Sequence, residues 1–325
     1  MTDWPTIDDV NAAAERIRGR VVRTPLRVSP GLSAATGRTV YHKIEAMQHS
    51  GAFKLRGAFN ALLTLTDDER ARGVITFSSG NHGRGIAYAS KALGIDAVIC
   101  VSEGVPANKV AAIRALDADA QVTGVTQDEA EAGMMAIIDE TGRTFVSPFD
   151  HPAVIAGQGT ISAEVLADCP DADTIVVPLS GGGLIAGIAL AAKALKPGIR
   201  VVGVTMDKGA AMHDSLKAGH VVDIVEEPTL ADALQGGLGA DNRYTFPMVR
   251  DLVDESVLVS EDDIADAMAW LFWNDHLVSE GAGAVGAAAL LSGGIIGIGD
   301  VVVNVLSGNN VDMNKFSAIC AERAP

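Results

Sequence analysis

Lys54 stands in the run His49-Ser-Gly-Ala-Phe-Lys-Leu-Arg-Gly-Ala-Phe-Asn60, a primary amine flanked by Phe53 and Leu55 and closely preceded by a glycine. Burial disfavours the charged form of an amine, and the neutral amine attacks carbonyl carbon. A lysine that only lays its stem along apolar surface would read the same way. Three other segments offer partners. Ser180-Gly-Gly-Gly-Leu184 follows an apolar run and opens an Ala/Leu-rich stretch. Gly181, Gly182 and Gly183 would let the backbone wrap an anion, with the N–H groups of a helix start pointing at it. The segment lacks the Lys-Ser/Thr of a nucleotide loop and the spacing of a dinucleotide fingerprint, so a single phosphate is its natural guest. A plain strand-to-helix turn is the alternative. Ser78-Ser79-Gly80-Asn81-His82 gathers hydroxyls, a carboxamide and an imidazole, suited to a carboxylate or a ring hydroxyl. N-capping by Ser79 or Asn81, with His82 in solvent, explains it equally well. In Leu306-Ser307-Gly-Asn-Asn310, the Ser307 hydroxyl could donate to an uncharged ring nitrogen. Strand-end turn chemistry is the simpler account.

A carbonyl-reactive amine, a phosphate cup, an amide and a neutral donor to a ring nitrogen together describe a site for pyridoxal phosphate. Here the sequence resembles the fold-type II pyridoxal-phosphate enzymes, in the threonine/serine dehydratase and serine racemase group. The resemblance rests on GAFKLRGA, SSGNHGRG, SGGGLIAG and LSGNN, in the family's order over nearly the full length. It implies that Lys54 carries the cofactor, beside Phe53, and later acts as base at the substrate Cα. It places Asn81 at the ring hydroxyl, Gly181, Gly182, Gly183 and Leu184 at the phosphate, Ser307 at the pyridine nitrogen and Glu280 near the ring. Ser78, Ser79, Gly80, Asn81 and His82 would seat an amino-acid substrate, with Ser79 a second catalytic residue on the face opposite Lys54. An exposed helix-start acid is the other reading of Glu280. The implied reaction is loss of a β-hydroxyl, giving a keto acid and ammonia.

Some positions depart from the family. Ala52 replaces a serine before Phe-Lys and is the expected place for substrate choice. Thr205 and Ala211 fall at two ligand places of a cation site, so no metal is expected. The loop 235–243 lacks a Ser-Ser pair and offers Asp241, Asn242 and Arg243 toward a different substrate tail. With the last residue at Pro325, no appended amino-acid sensor is expected. The segments DKGAAMHDSLKAG, PTLADALQGGLGADNRYTF and VSEGAGAVGAAALL resemble the hydroxyectoine-utilisation dehydratases most. Hydroxyectoine is a cyclic amidine without a free primary amine, so a ring-opened derivative is the chemically suited substrate. Threonine/serine dehydratase, 3-hydroxyaspartate dehydratase and serine racemase are the alternatives, and a phosphorylated-metabolite-binding protein is the non-enzyme one.

These residues need rigid elements to hold them. Apolar runs such as AVICVS, TIVVPLS and VVVNVLS alternate with Ala-rich segments of helical period. Continuously apolar strands fit sheets covered on both faces. The expectation is an α/β chain of two doubly wound, mostly parallel domains with the site in the cleft between them. Residues 1–50 and 151–325 would form the larger, cofactor-binding domain and 51–150 the smaller one. Thr6-Ile-Asp-Asp9 reads as a capping box for a helix to about Arg18, and a helix is expected from about Gly57. The formal charge of −16 argues against nucleic-acid and anionic-membrane partners. Three scattered cysteines and no membrane-length apolar run fit a reducing, cytoplasmic setting. Family habit implies a homo-oligomer, a dimer or tetramer.

Overall fold

The computed structural model describes residues 4–325 except 79, 104, 106 and 126. Among the described residues the strands are β1 (Leu26–Val28), β2 (Thr39–Ile44), β3 (Val74–Phe77), β4 (Ala97–Ser102), β5 (Asp119–Gly124), β6 (Thr144–Phe145), β7 (Thr174–Pro178), β8 (Arg200–Met206), β9 (Glu255–Val259) and β10 (Val301–Leu306). They form a six-stranded sheet, β1-β2-β10-β7-β8-β9, and a four-stranded one, β5-β4-β3-β6. The strands of the smaller sheet all fall within residues 74–145. Every pairing is parallel except that of β1 with β2.

The unbroken apolar strands are buried on both faces. Along β7, Val176 packs into one cluster while Ile175 and Val177 pack into another. Successive strand residues point to opposite faces, so one run feeds two cores. The expected strands are present. The additional ones, β1 and β6, have three and two residues, too short to show a period in sequence. The Thr6–Asp9 capping box opens the helix Ile7–Ile17 as expected. No described helix is long and apolar enough to cross a membrane.

The lysine segment differs from expectation. Its helix, Lys54–Leu63, begins at Lys54 itself, because Phe53 is already in helical conformation. Gly51 makes the preceding turn with φ of 76°, where a side chain would be strained. Leu55 is fully buried in the core around the helix.

That helix is anchored by ions. Arg56, Lys43 and Glu45 are all fully buried. Arg56 donates to both carboxylate oxygens of Glu45 at 2.8 Å and to those of Glu164 at 2.7 and 2.8 Å. Lys43 donates to Glu164 at 2.5 Å and to the Thr24 carbonyl at 2.7 Å. Two cations thus meet two anions. Beside them, a Cβ on Gly157 would lie 2.7 Å from the Gly57 Cα, so the helices Lys54–Leu63 and Pro152–Asp168 touch backbone to backbone. Arg56→Ala would strand Glu45 without its partner, and we expect a loss of about 3–5 kcal/mol in urea unfolding. A loss under about 1 kcal/mol, the range of a solvent-exposed pair, would contradict this account.

Candidate active site

Two distant stretches of backbone pair to build the site. Ala52 and Gly308 form an antiparallel bridge. The Phe53 N–H donates to the Ser307 carbonyl at 3.0 Å, and the Asn309 N–H to the Gly51 carbonyl at 2.9 Å. The Glu280 N–H donates to the Gly308 carbonyl at 3.1 Å. Lys54, Ser307 and Glu280 are thereby drawn together from three parts of the chain. Ala52 is fully buried in this pairing, and a Cβ on Gly308 would lie 3.2 Å from its methyl. Its side chain therefore faces backbone.

The glycine turn follows β7 and opens the helix Gly183–Leu195, with Gly182 at φ of 90°. A Cβ on Gly181 would sit 2.4 Å from the Phe149 ring, and one on Gly183 2.8 Å from the Phe149 backbone. On the other side, a Cβ on Gly182 would sit 3.0 Å from that of Thr245. The turn is held between Phe149 and Thr245, and only glycine fits. The N–H groups of Gly183 and Leu184 lie in the first turn, where no helical carbonyl is available to them.

The Ser-Gly-Asn-His segment follows β3. Ser78 is half-buried and its hydroxyl accepts from the Gly80 N–H at 3.3 Å, while Gly80 is the N-cap of the helix Asn81–Leu93. Ser79 lies outside the described residues. Asn81 donates through Nδ2 to Glu280 Oε1 at 2.7 Å and accepts at Oδ1 from Asn310 Nδ2 at 2.5 Å. Arg84 donates to Asn310 Oδ1 at 2.6 Å. Glu280 is buried, not an exposed helix-start acid, and Oε2 accepts the Asn310 N–H at 3.1 Å. Burial lifts its pKa to about 7, against the pull of Asn81 toward the carboxylate form.

Lys54 donates through Nζ to the Pro148 carbonyl at 2.7 Å and lies 5.2 Å from the centre of the Phe53 ring. The residue keeps some accessible surface, yet desolvation lowers the amine pKa to about 8. His82 is buried, not solvated, and burial pushes its pKa down to about 3, with the Lys54 charge adding to the effect. A neutral ring facing the Val146 carbonyl, 3.0 Å from Nε2, donates from that nitrogen. Nδ1 is then a buried acceptor without a partner among the described residues. Leu184 and Ser307 are buried at the start of their helix and the end of β10.

Comparison with known proteins bears on this geometry. The family pattern described as pyridoxal-phosphate dependent enzyme matches residues 17–308. The chain belongs to that family. It is 49% identical over 308 residues to a provisionally named threonine dehydratase of Sinorhizobium fredii, covering 95% of this chain and 93% of the relative. An L-threonine ammonia-lyase of Thermotoga maritima is 41% identical over 314 residues, with coverage of 97% and 78%. The structure of maize serine racemase superposes with a TM-score of 0.92 at 35% identity, covering 98% of this chain and 97% of that one. The protein is a fold-type II pyridoxal-phosphate enzyme of the threonine dehydratase and serine racemase group.

Its residues fit the cofactor. The turn at 181–183 admits no side chain, the Lys54 amine is desolvated, and Asn81, Glu280 and Ser307 meet beside it through the pairing at 50–53. Pro148, Phe149, Asp150, Arg84 and Asn310 carried no assignment in the sequence reading. The proline-flanked run PFDHP between β6 and a helix was the available signal for three of them. The loop before residue 245 also reads differently: Asn242 donates to Thr245 Oγ1 at 2.8 Å and accepts from the Phe246 N–H at 2.8 Å. It is committed to capping, which removes it from the expected substrate-tail contacts.

Two titrations test these environments. In cofactor-free protein, acylation of Lys54 followed by peptide mapping should show a midpoint near pH 8, and one near 10.5 would contradict the burial account. For Glu280 the folded pKa lies above the unfolded one, so the native state binds the extra proton between them. Stability then falls as pH rises from about 4.5 through 7. Relative to Glu280→Gln, the wild type should lose stability across that window in urea titrations. A pH-independent difference would contradict it.

Proposed function

We propose that the protein eliminates water from a β-hydroxy α-amino acid, L-threonine or L-serine first, releasing a keto acid and ammonia. The observation that carries this is the desolvated Lys54 amine. It is joined through Pro148 and Phe149 to a glycine turn that admits only backbone. The names of the relatives support the same reaction class.

Pyridoxal phosphate, when bound, supplies an electron sink that acidifies the substrate Cα–H. Lys54 would hold the cofactor through its amine, and its free Nζ would take the Cα proton of the substrate. A pKa of about 8 suits that exchange near neutrality. The N–H groups of Gly181, Gly182, Gly183 and Leu184 bind the phosphate. Asn81, its amide oriented by Glu280 and Asn310, faces the ring hydroxyl. Phe53 flanks the ring. Ser307 would donate its hydroxyl proton in a hydrogen bond to the ring nitrogen without transferring it, which would leave that nitrogen uncharged. Ser78, Gly80, Asn81 and His82 would form the carboxylate seat, and Ser79, outside the described residues, keeps the second catalytic role that the family resemblance implies. Neutral at working pH, His82 can accept a hydrogen bond there but cannot serve as the acid.

A ring-opened hydroxyectoine derivative is the second substrate reading, favoured by the segments 207–219, 228–246 and 278–291 and by the lack of a free amine in the intact ring. Both readings share Lys54 and divide at the substrate tail. Keto-acid and ammonia release should be measured for L-threonine, L-serine, 3-hydroxyaspartate and the ring-opened compound. Turnover of threonine or serine above the others supports the first reading, and preference for the ring-opened compound the second. Lys54→Ala should fold and lose at least about a hundredfold in elimination. Near-wild-type elimination by that variant would overturn the role of Lys54 as base.

A further inference from the structure

We infer that Asp150 is a positioning residue: it ties the two walls of the glycine turn to each other and to the carbonyl that holds the Lys54 amine. This rests on the reading of Lys54 and Gly181–Gly183 as the cofactor-binding residues.

The N-cap residue of the helix Thr245–Leu252, Tyr244, makes no capping bond with its own side chain, and Asn242 takes only the Phe246 N–H. The rest of the cap arrives from far along the chain. Asp150 Oδ1 accepts the N–H groups of Tyr244 and Thr245 at 2.8 Å, and Oδ2 accepts that of Arg243 at 2.7 Å. A carboxylate takes three donors at a helix start because each oxygen has spare lone pairs and the helix dipole favours its charge.

The position of Asp150 gives this cap its consequence. One wall of the glycine turn is Phe149, its neighbour, against which Gly181 and Gly183 close. The other wall is Thr245, against which Gly182 closes. The bond from the Thr245 N–H to Asp150 therefore joins the walls directly. One residue further back, the Pro148 carbonyl receives the Lys54 amine. Ser147 Oγ accepts the Asp150 N–H at 3.1 Å, and His151 Nδ1 accepts the Ala153 N–H at 3.2 Å. The run 147–151 is thus fixed at both ends, and Asp150 is its link to the far wall.

Asp173 provides a matched control. Its Oδ2 accepts the N–H groups of Asp300 and Val301 at 2.7 and 3.0 Å, a similar cap at the opposite end of β7. Asp150→Ala, Asp150→Asn, Asp173→Ala and Asp173→Asn should be compared as holoproteins. The readouts are the rate of cofactor release on dilution, followed by visible absorbance, and the pH midpoint of Lys54 acylation after cofactor removal. Asp150→Ala should release cofactor about ten to a hundred times faster than wild type, with the Lys54 midpoint displaced. Asp150→Asn, which keeps the acceptor for Tyr244 and Thr245, should fall between. The Asp173 variants should lower the unfolding midpoint and leave both readouts at wild-type values. Asp150 variants that match their Asp173 counterparts would overturn the inference, and should Asp150→Ala fail to fold, the two asparagine variants decide alone. Wild-type protein that carries no cofactor at Lys54 would overturn the functional reading and this inference with it.

Discussion

The antiparallel pairing of residues 51–53 with 307–309 is the constraint on which the site depends. It joins the end of β10 in the larger sheet to the turn that begins the lysine helix. Those segments are about 250 residues apart in sequence, so no local propensity could bring them together. Once they pair, the lysine, the serine and the buried glutamate share one place. The Gly51 turn and the Gly308 backbone make the approach close enough, since a side chain on Gly308 would collide with Glu280.

The chain treats buried charge in two ways. Around Arg56 it is fully paired, with every cation facing an anion, and the result is anchorage. Around Lys54 it is left uncompensated: burial lowers the amine pKa, is the largest cause raising that of Glu280, and together with the Lys54 charge keeps His82 neutral. Unpaired groups of this kind cost stability, and their pKa values come to lie where protons can be exchanged. The two sets are separated along the lysine helix by a single residue, Leu55, and the paired set holds still the helix on which the reactive group sits.

Much of this was legible in the sequence because glycine clusters and apolar runs show directly in the residue types. The strands that feed two cores are continuously apolar, and the turn at 181–183 is glycine because Phe149 and Thr245 leave no room for more. The short strands β1 and β6 were not legible, since two or three residues carry no period. Nor was the burial of Glu280 and His82: each reads as a polar residue at a helix start, and only tertiary packing removes it from water. The run PFDHP marks Asp150 as part of a turn, but its bonding role was hidden for a similar reason. Its partners are backbone N–H groups more than ninety residues away, which leave no mark on residue types.

The most direct test of the central claim is to reduce the cofactor-loaded protein with borohydride, digest it and map the modified lysine by mass spectrometry. The account predicts a reduced pyridoxyl group on the peptide that contains Lys54 and on no other. Label on a different lysine, or loaded protein in which Lys54 stays unmodified, would contradict it.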